Sequence, residues 1–324
     1  MNKNKHIEQE IKSKGSWQLP ISNSLNWSTA FKRTLELVKD NIPVVLFGPP
    51  GTGKTKIINH LKKELSDEKL LGNFEIVQFH KKFSYEDFIE GYSPTEKGGF
   101  EKKAGIFKMF CERRTDKKVD LFVIDEMNRA ELSSTLGEVL YTLEDRGERS
   151  VKTSHFGDTF RIPRNLSLVG TMNTADRNIN VVDYALRRRF RFVAVNPDSD
   201  ELNQWLNKVG FGFTEFSIAQ YIKYFEILNY KIQAHQLLGA QMRLGQSFFV
   251  PPRKSDPISS KEIIHNFSEV IGPQLEAYLG NGNEMELSLL LNPVLGKKIT
   301  NYEQITIEDL ASHIHEAIGT KRNV

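Results

Sequence analysis

Residues 48–55 read Gly48-Pro49-Pro50-Gly51-Thr52-Gly53-Lys54-Thr55, directly after the apolar run Val44–Phe47 and directly before an amphipathic stretch. A strand, a glycine-rich loop and a helix start form the context in which this pattern carries meaning. Glycines let the loop backbone approach closely enough for its N–H groups to point at phosphate oxygens. The helix N-terminus adds partial positive charge at the same spot. Lys54 suits the β- and γ-phosphates, and the Thr55 hydroxyl suits Mg²⁺. The segment predicts binding of a nucleoside triphosphate.

Working outward, Phe31, Leu35 and Val38 recur at helical spacing and predict a helix within 25–40 that leads into the phosphate-binding strand. Helix is predicted for 54–65 and strand for 74–80. Residues 81–104 hold Gly91, Pro94, Gly98 and Gly99 among charges and read as a long loop or insertion. A helix follows near Gly105. Leu121–Ile124 is four apolar residues in a row, as a strand buried on both faces requires. Helix is then expected over 133–143, strand over 166–171, helix over 182–188 and strand over 190–195. Alternating strands and helices predict a parallel, three-layer α/β domain ending near residue 196. Beyond Pro197 the pattern becomes helical, at about 201–209, 214–236, 260–280 and 303–318, as a smaller second domain. The expected organisation is a polar segment 1–24, a nucleotide-binding core 25–196 and a helical part 197–324.

Composition narrows the class. The chain of 324 residues is 39% hydrophobic and 26% charged with net charge +3, so no global basic field announces nucleic acid. One cysteine, Cys111, leaves no intrachain disulfide and fits a reducing, cytoplasmic setting. The stretch 1–15 has no apolar centre and reads as no signal peptide, and no run reaches the roughly 18 apolar residues of a membrane span. The eight histidines are scattered and a single cysteine gives no zinc-site spacing. Glu101-Lys102-Lys103 lies in a glycine-rich charged loop, so its nuclease-like look reads as chance. Phe83, Tyr85, Phe88 and Tyr92 are more simply read as packing an insertion than as base-stacking groups.

Three further segments carry chemistry. Leu121–Glu126 delivers two carboxylates at the C-terminal edge of a buried strand, where open α/β sheets place ligands. Asp125 is suited to hold Mg²⁺ through its water shell and Glu126 to orient or deprotonate an attacking water. In Gly170–Arg177 (GTMNTADR), Asn173 offers both a donor and an acceptor toward a γ-phosphate and a water. Asp176 either shares in holding that water or caps a following helix. In Val181–Phe190 (VVDYALRRRF), Arg188 and Arg189 are candidates to reach a γ-phosphate held by a neighbouring subunit; the plainer account is a basic surface or interfacial salt bridges.

Together these four motifs resemble those of AAA+ NTPases, ring-forming proteins with an α/β core and a helical lid. Asp125–Ala130 (DEMNRA) is similar to both MoxR-like chaperones and McrB-like proteins. MNTADR, ALRRRF, residues 79–94 (FHKKFSYEDFIEGYSP) and 98–107 (GGFEKKAGIF) resemble the McrB-like kind, as does Arg243–Phe249 (RLGQSFF) more weakly. The resemblance implies a Mg²⁺-dependent nucleoside triphosphatase, GTP favoured over ATP, in a homo-hexameric ring that activates a McrC-like endonuclease subunit in DNA restriction or phage defence. It implies that Glu126, Asn173 and Asp176 position the hydrolytic water. Arg243 matches the region where lids set an arginine against phosphates, or else forms a structural lid salt bridge. The best-known relatives carry an N-terminal domain that reads modified DNA, whereas about 40 residues precede the core here, so DNA is expected to be met through the complex. The alternative is a MoxR-like, ATP-driven chaperone.

Overall fold

The computed structural model describes residues 27–319 apart from 97, 114, 177–183, 253–255, 281–282 and 302. Helix α1 (Trp27–Lys39) precedes strand β1 (Val44–Gly48), and α2 (Lys54–Asp67) starts on the last residues of the glycine-rich loop. Then come β2 (Leu71–Gln78), the short α3 (Tyr85–Phe88), β3 (Glu90–Pro94), β4 (Phe100–Ala104), α4 (Ile106–Glu112) and β5 (Val119–Asp125). A 3₁₀ turn at Met127–Arg129 leads to α5 (Leu132–Leu136) and α6 (Val139–Thr142). The two-residue strands β6 (Val151–Lys152) and β7 (Thr159–Phe160) precede β8 (Leu166–Asn173), α7 (Tyr184–Arg189) and β9 (Arg191–Ala194).

Strands β2, β5, β8, β1 and β9 form, in that order, one parallel sheet. Strand alternation sends Val44, Leu46, Leu121 and Val123 to one face, where Ala30, Val38, Ile57 and Leu61 of α1 and α2 cover them. Val45, Phe47, Phe122 and Ile124 face the other way, onto Phe88, Phe107, Phe110 and Leu136. Burial on both faces explains why these strands are continuous apolar runs. The result is the three-layer α/β arrangement of an AAA+ core.

Of the two alternatives for residues 81–104, a long loop or an insertion, the structure has the insertion, in which β3 and β4 pair antiparallel with Tyr92 opposite Lys102. One expectation needs correction. The predicted helix over 133–143 is broken into α5 and α6 at Gly137, whose φ of 45° no regular helix accepts. The insertion is fastened from below: Lys108 on α4 donates to Glu90 at 2.6 Å and to Asp158, between β6 and β7, at 2.9 Å. The Glu90 side chain is fully buried and also accepts from the Phe156 amide at 2.8 Å.

From Ser199 onward the described residues are helical: α8 (Ser199–Val209), α9 (Ile218–Ala234), α10 (Ser260–Asn266), α11 (Gly272–Leu279), α12 (Glu284–Leu290), α13 (Pro293–Thr300) and α14 (Ile307–Ala317). A π-helical turn, Phe267–Ile271, joins α10 to α11. These helices share their own apolar core around Tyr224, Phe249, Leu275 and Leu310. α12 and α13 were not anticipated. No described helix is long and apolar enough to cross a membrane.

Candidate functional site

The sheet order places β8 between β5 and β1, so three motifs far apart in sequence end on one edge. Gly48 closes β1, Asp125 closes β5 and Asn173 closes β8, with Gly48 directly in register with Asn173. The Thr174 amide, next along, donates to the Gly48 carbonyl at 3.1 Å, joining β8 to the glycine-rich loop.

Lys54 folds back over that loop and donates to the carbonyls of Gly48 at 2.9 Å and Pro49 at 2.8 Å. Burial brings its pKa down to about 8, against the pull of Glu126 and Asp125 that favours the charged form. Both carboxylates therefore act on the ammonium group that the loop holds. Thr55 sits exposed at the second position of α2.

Asp125 and Glu126 are organised by a residue the sequence reading passed over. The Thr171 hydroxyl donates to Asp125 Oδ1 at 2.6 Å and accepts from the Glu126 amide at 3.0 Å. Thr171 is buried within β8. Its signal was a hydroxyl two residues before Asn173 on the same mostly apolar strand. Glu126 has φ 53° and ψ 40°, a left-handed conformation that costs a non-glycine residue about 1–2 kcal/mol. Such strain persists only where surroundings hold it, here by the Thr171 contact and the following turn.

Arg129, within the quoted DEMNRA segment but given no part, donates to Glu126 Oε2 at 3.3 Å and lies 4.0 Å from Asp176 Oδ2. Asn173 Oδ1 accepts from the Ala175 amide at 3.1 Å, and its carbonyl accepts from Asn128 Nδ2 at 3.2 Å. Glu126, Arg129 and Asp176 thus form one polar cluster, and Asn173 closes the neighbouring strand with Asn128 bonded to its carbonyl.

Arg188 and Arg189 do not share an environment. Both meet Glu144, Arg188 Nε at 3.4 Å and Arg189 Nη2 at 3.2 Å, but the Arg188 side chain is 67% exposed and that of Arg189 only 7%. Glu144, which also lies 3.8 Å from Arg149, carried no sequence signal for this role, since Arg188 and Arg189 lie more than forty positions away. Arg243 is engaged by Asn196 Oδ1 at 2.7 Å and the Ala240 carbonyl at 3.0 Å, and burial lowers its pKa. Residues 177–183 of the two arginine-bearing motifs lie outside the described residues.

A parallel sheet in this order, with a glycine-rich loop after β1 and an acidic pair after β5, defines an AAA+ protein of the P-loop NTPase class. The family model of the AAA domain, dynein-related subfamily, matches residues 43–190. Within that class the chain is McrB-like. It is 42% identical over 224 residues to the "Type IV methyl-directed restriction enzyme EcoKMcrB subunit" of Escherichia coli K12, a match covering 65% of this chain and 48% of that one. It is also 24% identical over 197 residues to the "Type II restriction enzyme BsuMI component YdiS" of Bacillus subtilis 168, covering 46% of this chain and 55% of that one. The chain spans about half the length of these curated relatives. A Cytophaga hutchinsonii crystal structure aligns over 96% of this chain and 86% of its own at 16% identity, with a TM-score of 0.38.

Proposed function

We propose that this chain is the nucleoside triphosphatase motor of a restriction system, hydrolysing GTP in preference to ATP and driving a McrC-like endonuclease subunit from a homo-hexameric ring. The observation that carries this reading is the meeting of the Lys54 loop, the Asp125–Glu126 pair and Asn173 at one sheet edge. In it residues 25–196 are the core, 197–324 the lid, and 1–24 a polar N-terminal segment. Gly48–Thr55 hold the phosphates, Glu126 is the base, and Asn173 and Asp176 hold the water. Arg188, with Arg189 behind it, addresses a neighbour's γ-phosphate, and Arg243 faces the phosphates from the lid.

Magnesium fits the residues present. Thr55 supplies a hydroxyl and Asp125 a carboxylate, the oxygen donors a hard cation takes. Mg²⁺ is commonly bound by one or two carboxylates plus phosphate oxygens, so it needs no larger acidic cluster. Among the described residues no group of three or more His, Cys, Asp or Glu side chains forms one. The restriction role and the endonuclease partner rest on the likeness to the Escherichia coli restriction subunit, GTP rests on the resemblance of the motifs to McrB-like proteins, and DNA is reached through the complex.

The test is steady-state hydrolysis of GTP and ATP, each with the other as competitor, with and without a McrC-like endonuclease subunit. Preferential GTP turnover that rises with the partner supports the proposal. ATP preference with no effect of the partner overturns it in favour of a chaperone-like motor. Glu126→Gln is expected to keep nucleotide binding and lose turnover; unchanged turnover removes Glu126 as the base.

A further inference from the structure

The lid touches the phosphate loop through a three-residue segment, Gly245-Gln246-Ser247, between α9 and α10. The Gly245 amide donates to the Pro50 carbonyl at 3.0 Å and the Ser247 amide to the Gly51 carbonyl at 3.1 Å. Between them, Gln246 Nε2 donates to the Thr52 carbonyl at 3.1 Å. Three successive carbonyls of the loop therefore face three successive residues of the lid.

The fit is close enough to exclude side chains. A Cβ on Gly245 would lie 2.0 Å from the Gly51 carbonyl carbon and 2.3 Å from the Thr52 nitrogen. One on Gly51 would meet Ser247 Oγ at 2.5 Å. Gln246 is 6% exposed, and both ends of its amide are used. Nε2 also donates to Glu201 Oε2 at 2.6 Å, and Oε1 accepts from the Asp198 amide at 3.3 Å. Glu201 and Asp198 lie at the start of α8, and Glu201 also pairs with Lys56 of α2.

In a planar trans peptide the N–H points opposite the preceding C=O. Turning the carbonyls of Pro50, Gly51 and Thr52 toward the lid turns the N–H groups of Gly51, Thr52 and Gly53 the other way. A glycine-rich loop binds phosphate with those N–H groups.

We infer that Gln246 is a positioning residue for triphosphate binding: it and its neighbours grip the outer carbonyls of the phosphate loop, so that phosphate affinity depends on the lid being seated. The inference rests on the proposed nucleotide-binding reading. Gln246 touches no phosphate; it acts through the Thr52 peptide.

The test uses the full chain and titrates fluorescently labelled GTP and ATP against wild type, Gln246→Glu, Glu201→Gln, the double variant Gln246→Glu/Glu201→Gln, and Gly245→Ala. The carboxylate introduced by Gln246→Glu would set an acceptor against the Thr52 carbonyl and the Glu201 carboxylate. Losing a buried hydrogen bond and leaving its acceptor unpaired makes a weakening of about tenfold or more the expected result. Glu201→Gln keeps an acceptor for Gln246 and is expected to bind nucleotide nearly as wild type. The double variant restores the side-chain pair on the lid while leaving Thr52 without a donor. Its melting temperature should recover and its nucleotide affinity should not. In turnover, Gln246→Glu and Gly245→Ala are expected to raise KM more than they lower kcat. Full recovery of affinity in the double variant, or wild-type affinity in Gln246→Glu, overturns the inference alone. A wild-type protein that binds neither nucleotide overturns the proposed function and the inference with it.

Discussion

Thr171 and Asp125 stand on adjacent parallel strands, and the threonine hydroxyl donates to the carboxylate at 2.6 Å while accepting from the next amide, that of Glu126. One side chain thus sets both the rotamer of the first acidic residue and the backbone path of the second. Thr171→Val keeps the shape and removes both hydrogen bonds. Hydrogen bonds to charged groups contribute about 1.5–3 kcal/mol, so turnover should fall about tenfold to a hundredfold. Nucleotide affinity, measured by titration, should change far less; an equal loss in both would assign Thr171 to binding rather than to the acidic pair.

Lys54 predicts a pH dependence of binding. Its folded pKa near 8 means that the free protein loses the ammonium charge as pH rises through that value. A bound triphosphate favours the charged form, so binding takes up a proton once the free lysine is neutral. Affinity should be flat below pH 8 and weaken above it, at most tenfold per pH unit. Titrations between pH 7 and 10 check this, and Lys54→Arg should abolish the slope.

The two arginines at the end of α7 should separate by phenotype. Arg188 is exposed, and surface ion pairs such as the one with Glu144 contribute only about 0–1 kcal/mol, so Arg188→Ala should leave the melting temperature nearly unchanged. If it addresses a neighbour's phosphate, turnover should drop by roughly 10³–10⁵ and return in mixtures with Glu126→Gln subunits. Arg189 is buried, so Arg189→Ala should instead destabilise by about 1–3 kcal/mol, read by denaturant unfolding.

His313 gives the lid an acid limit. It is 2% exposed, contacts the Tyr224 hydroxyl at 3.2 Å, and burial with nearby Lys231 depresses its pKa to about 4, against the pull of Glu316. The unfolded chain protonates this residue near pH 6.5 and the folded chain only near 4. Its contribution is therefore present above pH 6.5 and is lost as pH falls through that window, on the order of 3 kcal/mol in all. His313→Gln should flatten unfolding free energy against pH between 6.5 and 4.

The strands were legible because parallel strands buried on both faces are unbroken apolar runs, and Leu121–Ile124 is one. The acidic pair and Asn173 followed, since chemistry at a strand's C-terminal end needs only the strand to be placed. The hairpin over 90–104 was hidden because cross-strand pairing is non-local and its charged residues carry no alternation. Asn292-Pro293 obscured α12 and α13, whose Leu287, Leu290, Leu295 and Ile299 nonetheless keep helical spacing. Thr171 stood in plain view within a quoted motif. Gln246 and Glu144 act through partners distant in sequence, which one chain cannot pair.

The buried ammonium of Lys108 ties the β3–β4 hairpin to the segment between β6 and β7, and α4, which carries it, sets Phe107 and Phe110 edge-to-face with Phe122 of β5, ring centres 4.9 and 5.0 Å apart. Pulling the hairpins apart would take from the Lys108 ammonium one of its two carboxylate partners, and removing one side of a buried pair costs about 3–5 kcal/mol. Mechanically, then, they are a single stiff bracket. Its outer corner is the exposed ring of Phe100, and its foot rests on the strand that ends at Asp125.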